Sequence, residues 1–255
     1  MQIAWSISET DLQAMRDIIG RARSSRFTTS RLRDNVSGPP PRFSREEFWR
    51  VMLGCLLTTQ QRSGPESSVS RFLRRRPFQP AMEDCSPETT ESFVRDTVVR
   101  FGGIRRAPTI AKYAAANLTR LQAGDWLRIE EEFQNLLVQR RREPRSEDAD
   151  RERKAAVLMC GFRGFGPKQS RNLWQWLGLT RFEIPIDSRV IRWLNENHLF
   201  PFALSAQGLI DEGYYRFVMS GIQNVRDVAG SLPCVFDAAV FASYDRDWEL
   251  DELDY

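Results

Sequence analysis

The segment Arg163-Gly-Phe-Gly-Pro-Lys168 places two glycines two residues apart, then a proline and a lysine, and an aspartate follows nineteen residues after the lysine in Ile184-Pro-Ile-Asp-Ser-Arg-Val190. Glycines so spaced let a backbone turn sharply and approach a partner closely. Pro167 suits the first position of a helix, where its missing N–H would have had no partner. A tight turn that runs straight into a helix aims the unpaired N–H groups of the helix start outward, which makes a site for a phosphate oxygen. Lys168 then stands in the first turn, beside that anion site. Taken alone, the pattern also describes a purely structural turn. The lysine is informative for another reason: of 37 basic residues 34 are arginine, and only Lys112, Lys154 and Lys168 are amines.

The elements that must position these residues read almost entirely as helices. The chain has 255 residues, 41% hydrophobic and 28% charged, which suits an ordinary globular protein of one large or two small domains. Leu12, Met15, Ile18 and Ile19 recur at helical spacing over 9–23, with Ser8 and Thr10 available as caps. Three consecutive prolines at 39–41 forbid a regular helix and mark a boundary. Ser44-Arg-Glu-Glu47 reads as a capping box, and the helix it opens, over 48–61, is apolar nearly all round and therefore central. Further helices are predicted over 66–74, 87–100, 108–122 and 126–139. The charged segment 140–150 reads as a mobile loop. One helix ends at Gly161 and a second runs from Pro167 to Gly178, with the turn between them. Short strands near 182–186 stay open, but nothing alternates long enough to build a sheet.

Composition excludes several classes. The longest apolar run, 155–162, falls far short of the ~20 residues of a membrane span. Residues 1–10 show neither a basic start nor an apolar stretch, so no secretion signal is expected. Cys55, Cys85, Cys160 and Cys234 are scattered without a C-x-x-C pair, which argues against a disulfide framework or a zinc knuckle and fits a reducing cytoplasm. The net charge of +3 hides an asymmetry: residues 245–255 hold six acids and one arginine, so the remaining 244 carry +8. A basic body with an acidic tail suits a polyanion partner, although a mixed solvated surface gives the same totals.

Gly164-Phe-Gly-Pro-Lys168 followed by Asp187 resembles the helix–hairpin–helix and Gly/Pro…Asp signature of the DNA glycosylase superfamily, which includes endonuclease III and the 8-oxoguanine glycosylases. Leu56-Leu-Thr-Thr-Gln-Gln61 is similar to the family's Leu-Leu-Ser-x-Gln segment, and Val235-Phe-Asp-Ala-Ala-Val-Phe241 is more distantly similar to a helix of archaeal 8-oxoguanine enzymes. The resemblance covers residues 44–197. It implies an all-α fold of two helical domains around a cleft: 1–42 as an N-terminal helix packing with the C-terminal domain, 43–166 as a six-helix barrel-like domain ending in the hairpin, and 167–255 as a C-terminal domain with the catalytic aspartate. It further implies Lys168 as the amine nucleophile of a glycosylase with AP-lyase activity and Asp187 as the catalytic carboxylate. The DNA contacts it implies are Arg163, Gly164, Phe165, Gly166 and Arg171, with Gln60 filling the space left by an everted base. The partner would be duplex DNA with a modified base, 8-oxoguanine or another oxidised base, bound by a monomer. The only cysteine after the signature is Cys234, so the iron–sulfur cluster of many relatives is not expected, nor any other cofactor.

The chemistry suits these residues. Breaking an N-glycosidic bond builds oxocarbenium character that a carboxylate stabilises. A primary amine adds at C1′ and forms a Schiff base, but only when neutral, and an ordinary lysine with a pKa of ~10.4 is neutral about once in a few thousand molecules at pH 7. Arginine cannot substitute, because it stays protonated. Plainer roles remain open at each position. Lys168 alone could hold phosphate, Asp187 could cap a helix, Gln60 could be a buried amide, and Arg163 and Arg171 could be solvated. His198 and the pair Trp174 and Trp176 read as structural, and Tyr214, Phe217 and Phe241 as either pocket or core. A glycosylase without lyase activity, a non-catalytic DNA-binding module and an enzyme acting on enzymatic base modifications are the competing functions.

Overall fold

Side-chain caps set where the helices of the computed structural model begin. The structure describes residues 5–61 and 63–245, with only the backbone of 226–229. The acidic tail beyond Asp245 and the first four residues of the segment read for a secretion signal lie outside them. Ser8 opens α1 (Glu9–Ala22) reciprocally: its hydroxyl accepts from the Asp11 N–H at 3.1 Å and its own N–H donates to the Asp11 carboxylate at 2.8 Å. Ser25 caps α2 (Arg26–Leu32), which sequence reading missed, and a wider helical turn over Arg33–Ser37 carries the chain to the prolines. Ser44 accepts from the Glu47 N–H at 3.3 Å to start α3 (Arg45–Leu57), but the Glu47 carboxylate turns to Arg50 instead of closing the box.

In α3, Phe48, Trp49 and every residue from Val51 to Leu57 are buried, so this helix is central as its composition requires. Around it lie α4 (Ser68–Leu73), α5 (Thr90–Phe101), α6 (Ala107–Arg120), α7 (Trp126–Arg140) and α8 (Asp148–Met159). The hairpin follows, then α9 (Pro167–Trp176), α10 (Ser188–Glu196), α11 (Glu212–Ala229) and α12 (Pro233–Tyr244). No strand occurs among the described residues, and 182–186 is irregular. No helix of the described residues is long and apolar enough to cross a membrane.

Two apolar clusters form the core. One joins α3 to α9 and ends at Leu179; the other joins α1 to the chain from Ile184 onward. The boundary therefore falls between 179 and 184, not at 166/167. The second hairpin helix belongs to the first body because Leu173 and Trp174 are buried there, Trp174 against Phe48 and donating to the Ala155 carbonyl at 2.8 Å. The segment 140–150 is likewise not all loop. Arg140 is the buried last residue of α7, and its guanidinium donates to the carbonyls of Gly178, Arg33, Asp34, Val36 and Gly38 at 2.7–3.4 Å. With Asn35, whose amide donates to the Gln175 and Thr180 carbonyls, both at 2.9 Å, it fastens the two bodies along one seam.

Candidate active site

The hairpin is held from beneath. Phe162 and Phe165 are buried in the first core, while Arg163, Gly164 and Gly166 face solvent. Phe165 was expected on DNA and instead anchors the turn. Buried Asn117 clamps it, accepting from the Arg163 N–H at 2.7 Å and donating to the Arg163 carbonyl at 3.0 Å. Gly164 has φ +82°, and a Cβ there would lie 2.5 Å from Leu56 Cδ2 and 2.7 Å from Tyr113 Cδ2. A Cβ on Gly166 meets nothing within 4 Å. The first glycine is thus demanded by the protein, and the second leaves an open surface next to the start of α9, whose first N–H groups have no side-chain cap.

Lys168 is half-buried in the first turn of α9 and makes one long contact, to Gln169 Oε1 at 3.4 Å. Gln169 is buried and ties this turn to the end of α3, donating to the Cys55 carbonyl at 2.7 Å and the Thr59 hydroxyl at 2.8 Å. Asp187 is the N-cap of α10: one carboxylate oxygen accepts from the N–H groups of Arg189 and Val190 at 2.8 and 3.0 Å, and the other pairs with the Arg189 guanidinium at 3.1 Å. Capping fixes the carboxylate in place.

What connects the two is Arg171, and here the sequence expectation of a phosphate contact fails. Arg171 is fully buried. It pairs with Glu183 at 2.6 Å and Glu212 at 2.7 Å, and its guanidinium lies 4.2 Å from the centre of the Tyr215 ring. Burial alone would push its pKa down, but the two carboxylates outweigh burial and the net shift is upward. The Tyr215 hydroxyl donates in turn to the Ile184 carbonyl at 2.8 Å. Arg171 therefore braces the helix of Lys168 against the segment that delivers Asp187. Glu152 holds the same segment from the other side, accepting from the N–H groups of Arg181, Phe182 and Glu183 at 2.7–2.9 Å.

Lys168 and Asp187 stand where two depressions meet. A groove of about 710 Å³ runs past Gln60, Arg105, Gly166 and Ile210, and a deeper cavity of about 170 Å³ opens beside it. Both are lined by Lys168, Asp187 and Arg189. A cavity of ~150 Å³ is known to hold an aromatic ring, so this one is of the size of a single base. One wall is a stack in which Arg189, Phe241, Phe27 and Arg31 follow one another, the two rings 4.3 Å apart and 15° from parallel. Asp237 and Gln175 close the interior. Burial drives the Asp237 carboxyl up to about 7; Arg31 pulls it down, Asp187 pushes it up, and Lys168 and a side-chain hydrogen bond with Gln175 pull it down.

The other expected residues separate clearly. Gln60 is exposed, not buried, at φ 58° in the turn after α3, and its amide oxygen accepts from Arg106 at 3.1 Å, so it lines the groove. Trp174 is core, whereas Trp176 and Phe241 line the cavity. Tyr214 and Phe217 pack with Phe202, away from both depressions, and His198 also lies outside them. Arg189, Asp237 and Gln175 were missed. The first two stood inside quoted motifs, two residues after Asp187 and within Val235–Phe241; Gln175 shares a helix face with Lys168. Among the described residues no group of three or more His, Cys, Asp or Glu side chains is placed to hold a metal ion.

Two helical bodies, a helix–hairpin–helix and a cleft with a lysine and an aspartate at its rim make up a fold that is all-helical among the described residues. Among solved structures the chain is similar to the 8-oxoguanine DNA glycosylase of Thermotoga maritima, with a TM-score of 0.59 and 12% identity over 91% of this chain and 94% of that one. No family model matches the chain, and no curated protein matches its sequence.

Proposed function

We propose that the protein is a DNA glycosylase with AP-lyase activity that extrudes a modified base, 8-oxoguanine or another oxidised base, from duplex DNA. The observation that carries this reading is the sharing of Lys168 and Asp187 between a wide groove and a base-sized cavity. Duplex DNA would follow the groove, with a phosphate at the N-terminus of α9 and Arg105 and Arg163 nearby. The base would enter the cavity, an extrusion that costs least for a damaged base. The likeness to a glycosylase that acts on 8-oxoguanine agrees with this reading.

In the reaction, the bond between C1′ and the base nitrogen breaks as the Lys168 nitrogen bonds to C1′, and the base departs with the bonding electrons and a proton. Asp187, fixed by its cap, faces the positive charge that develops on the sugar. The bound amine gives up one proton and O4′ takes one as the C1′–O4′ bond breaks, leaving an open sugar joined to Lys168 as a protonated Schiff base. Removal of a C2′ proton then expels the 3′ phosphate and nicks the strand.

The test is a panel of duplexes carrying 8-oxoguanine, oxidised pyrimidines, uracil or an abasic site, incubated with the protein and borohydride. Base release from at least one oxidised base and a reduced covalent adduct are expected. Base release without an adduct on any duplex, the abasic one included, would remove the lyase assignment, and binding without either would remove catalysis.

A further inference from the structure

We infer that Asp245 holds Arg189 where a DNA phosphate would, and that the acidic segment it begins competes with DNA for the groove. This rests on the reading of the groove as the DNA path. Arg189 lines the base-sized cavity and the wide groove, and also a third depression of about 880 Å³ that continues the groove past Gln61, Ser63 and Arg105. Asp245, the last described residue, stands in that depression directly after α12.

The Asp245 carboxylate pairs with the Arg189 guanidinium at 3.0 Å, while the same guanidinium reaches Asp187 at 3.1 Å. Arg189 is thus shared between the carboxylate read as catalytic and one at the end of the last helix. A Cβ on Gly64 would lie 3.4 Å from Asp245 Oδ2, so this carboxylate also meets the loop between α3 and α4 and reaches from the second body to the first. The two side chains of the pair are 24% and 22% exposed, so a competing anion can reach them. The Phe241 ring, 4.3 Å from the guanidinium, keeps Arg189 at this junction whichever anion it meets.

A carboxylate and a phosphate offer a guanidinium the same partner, two anionic oxygens side by side. The ten residues that follow Asp245 add five acids and one arginine. The arginines that would draw a polyanion to the groove therefore draw the acids of the chain's own end as well. DNA must displace Asp245 before a phosphate meets Arg189, so the affinity for any duplex is lower than the arginines alone would set.

The test measures binding of full-length variants to a duplex carrying a tetrahydrofuran abasic analogue, which the amine cannot cleave, at about 50 and 300 mM salt. At the lower salt Asp245→Asn should bind roughly threefold tighter than the wild type, the order of one partly exposed ion pair. A variant with Asp247, Glu249, Asp251, Glu252 and Asp254 also changed to their amides should gain at least as much again. Both gains should shrink at the higher salt, which screens such contacts. Glu131→Gln removes an exposed acid from α7, outside all three depressions, and should leave the affinity unchanged. A gain in affinity cannot arise from loss of fold. An Asp245→Asn protein that binds no tighter than the wild type, or a Glu131→Gln protein that gains as much, overturns the contact. Equal affinity with and without the five further acids overturns the competition by the rest of the segment. A wild-type protein that binds no duplex and forms no adduct on abasic DNA overturns the functional reading itself.

Discussion

A methionine in place of Arg171 would keep most of the volume and remove the charge that Glu183 and Glu212 face. Leaving a buried carboxylate without its partner costs about 3–5 kcal/mol. In a chain of this size that lowers Tm on the order of 10 °C. Base excision should fall with it, because the segment leading to Asp187 loses its brace; a Tm within 2 °C of the wild type would mean that the arginine is solvated. The same residue shows what a sequence can and cannot reveal. Lys168 and Asp187 stand out in the sequence because a contiguous motif carries them, and both line the cavity. Arg171 sits within that motif and was misread, since only the packing of Glu183, Glu212 and Tyr215 around it decides that it points inward. Gln175 and Asp237 were illegible as pocket residues because the cavity is assembled from α2, α9 and α12, far apart in the chain.

At the level of elements, the hairpin separates two glycines that look alike in sequence. Gly164→Ala should lower both Tm and DNA affinity, since its positive φ and its contacts with Leu56 and Tyr113 leave no room for a methyl group. Gly166→Ala should leave Tm within about 2 °C, corresponding to a surface change within ±0.5 kcal/mol, and should weaken DNA binding several-fold by keeping a phosphate off the helix start. Melting curves and a binding isotherm on each variant decide this; equal loss of stability in both would contradict it. Helix cores were legible from apolar periodicity, and their ends were not. α3 stops at Leu57, four residues earlier than expected, because the Thr58 and Thr59 hydroxyls both donate to the Cys55 carbonyl, at 3.1 and 3.0 Å, and Gln60 turns to positive φ. That early stop is what puts Gln60 in the groove. α2 escaped notice because seven residues carry too little periodicity, and its Phe27 finds its partner, Phe241, in the last helix.

Across the whole molecule, burial raises the carboxyls of Asp237 to about 7 and of Glu152 to about 8. Both ordinarily titrate near 4 in an unfolded chain, so between about pH 4 and these values the folded state binds more protons than the unfolded one. Stability must then fall as pH rises through this window. Tm should be several degrees higher at pH 5.5 than at pH 8.5, and Asp237→Asn and Glu152→Gln should each flatten the slope. A Tm that rises across this range in the wild-type protein would contradict the burial of these acids. The all-helical class could be read from the sequence. The seam could not, because it depends on Arg140 gathering five carbonyls from distant turns.

The central claim concerns one amine at the rim of a base-sized cavity. Borohydride reduction of the wild-type protein with duplex DNA containing 8-oxoguanine or an abasic site, followed by digestion and mass mapping, should place the sugar adduct on the peptide containing Lys168, and Lys168→Gln should form none while still binding DNA. An adduct mapped to Lys112, Lys154 or the amino terminus, or one that persists undiminished in Lys168→Gln, would contradict the account.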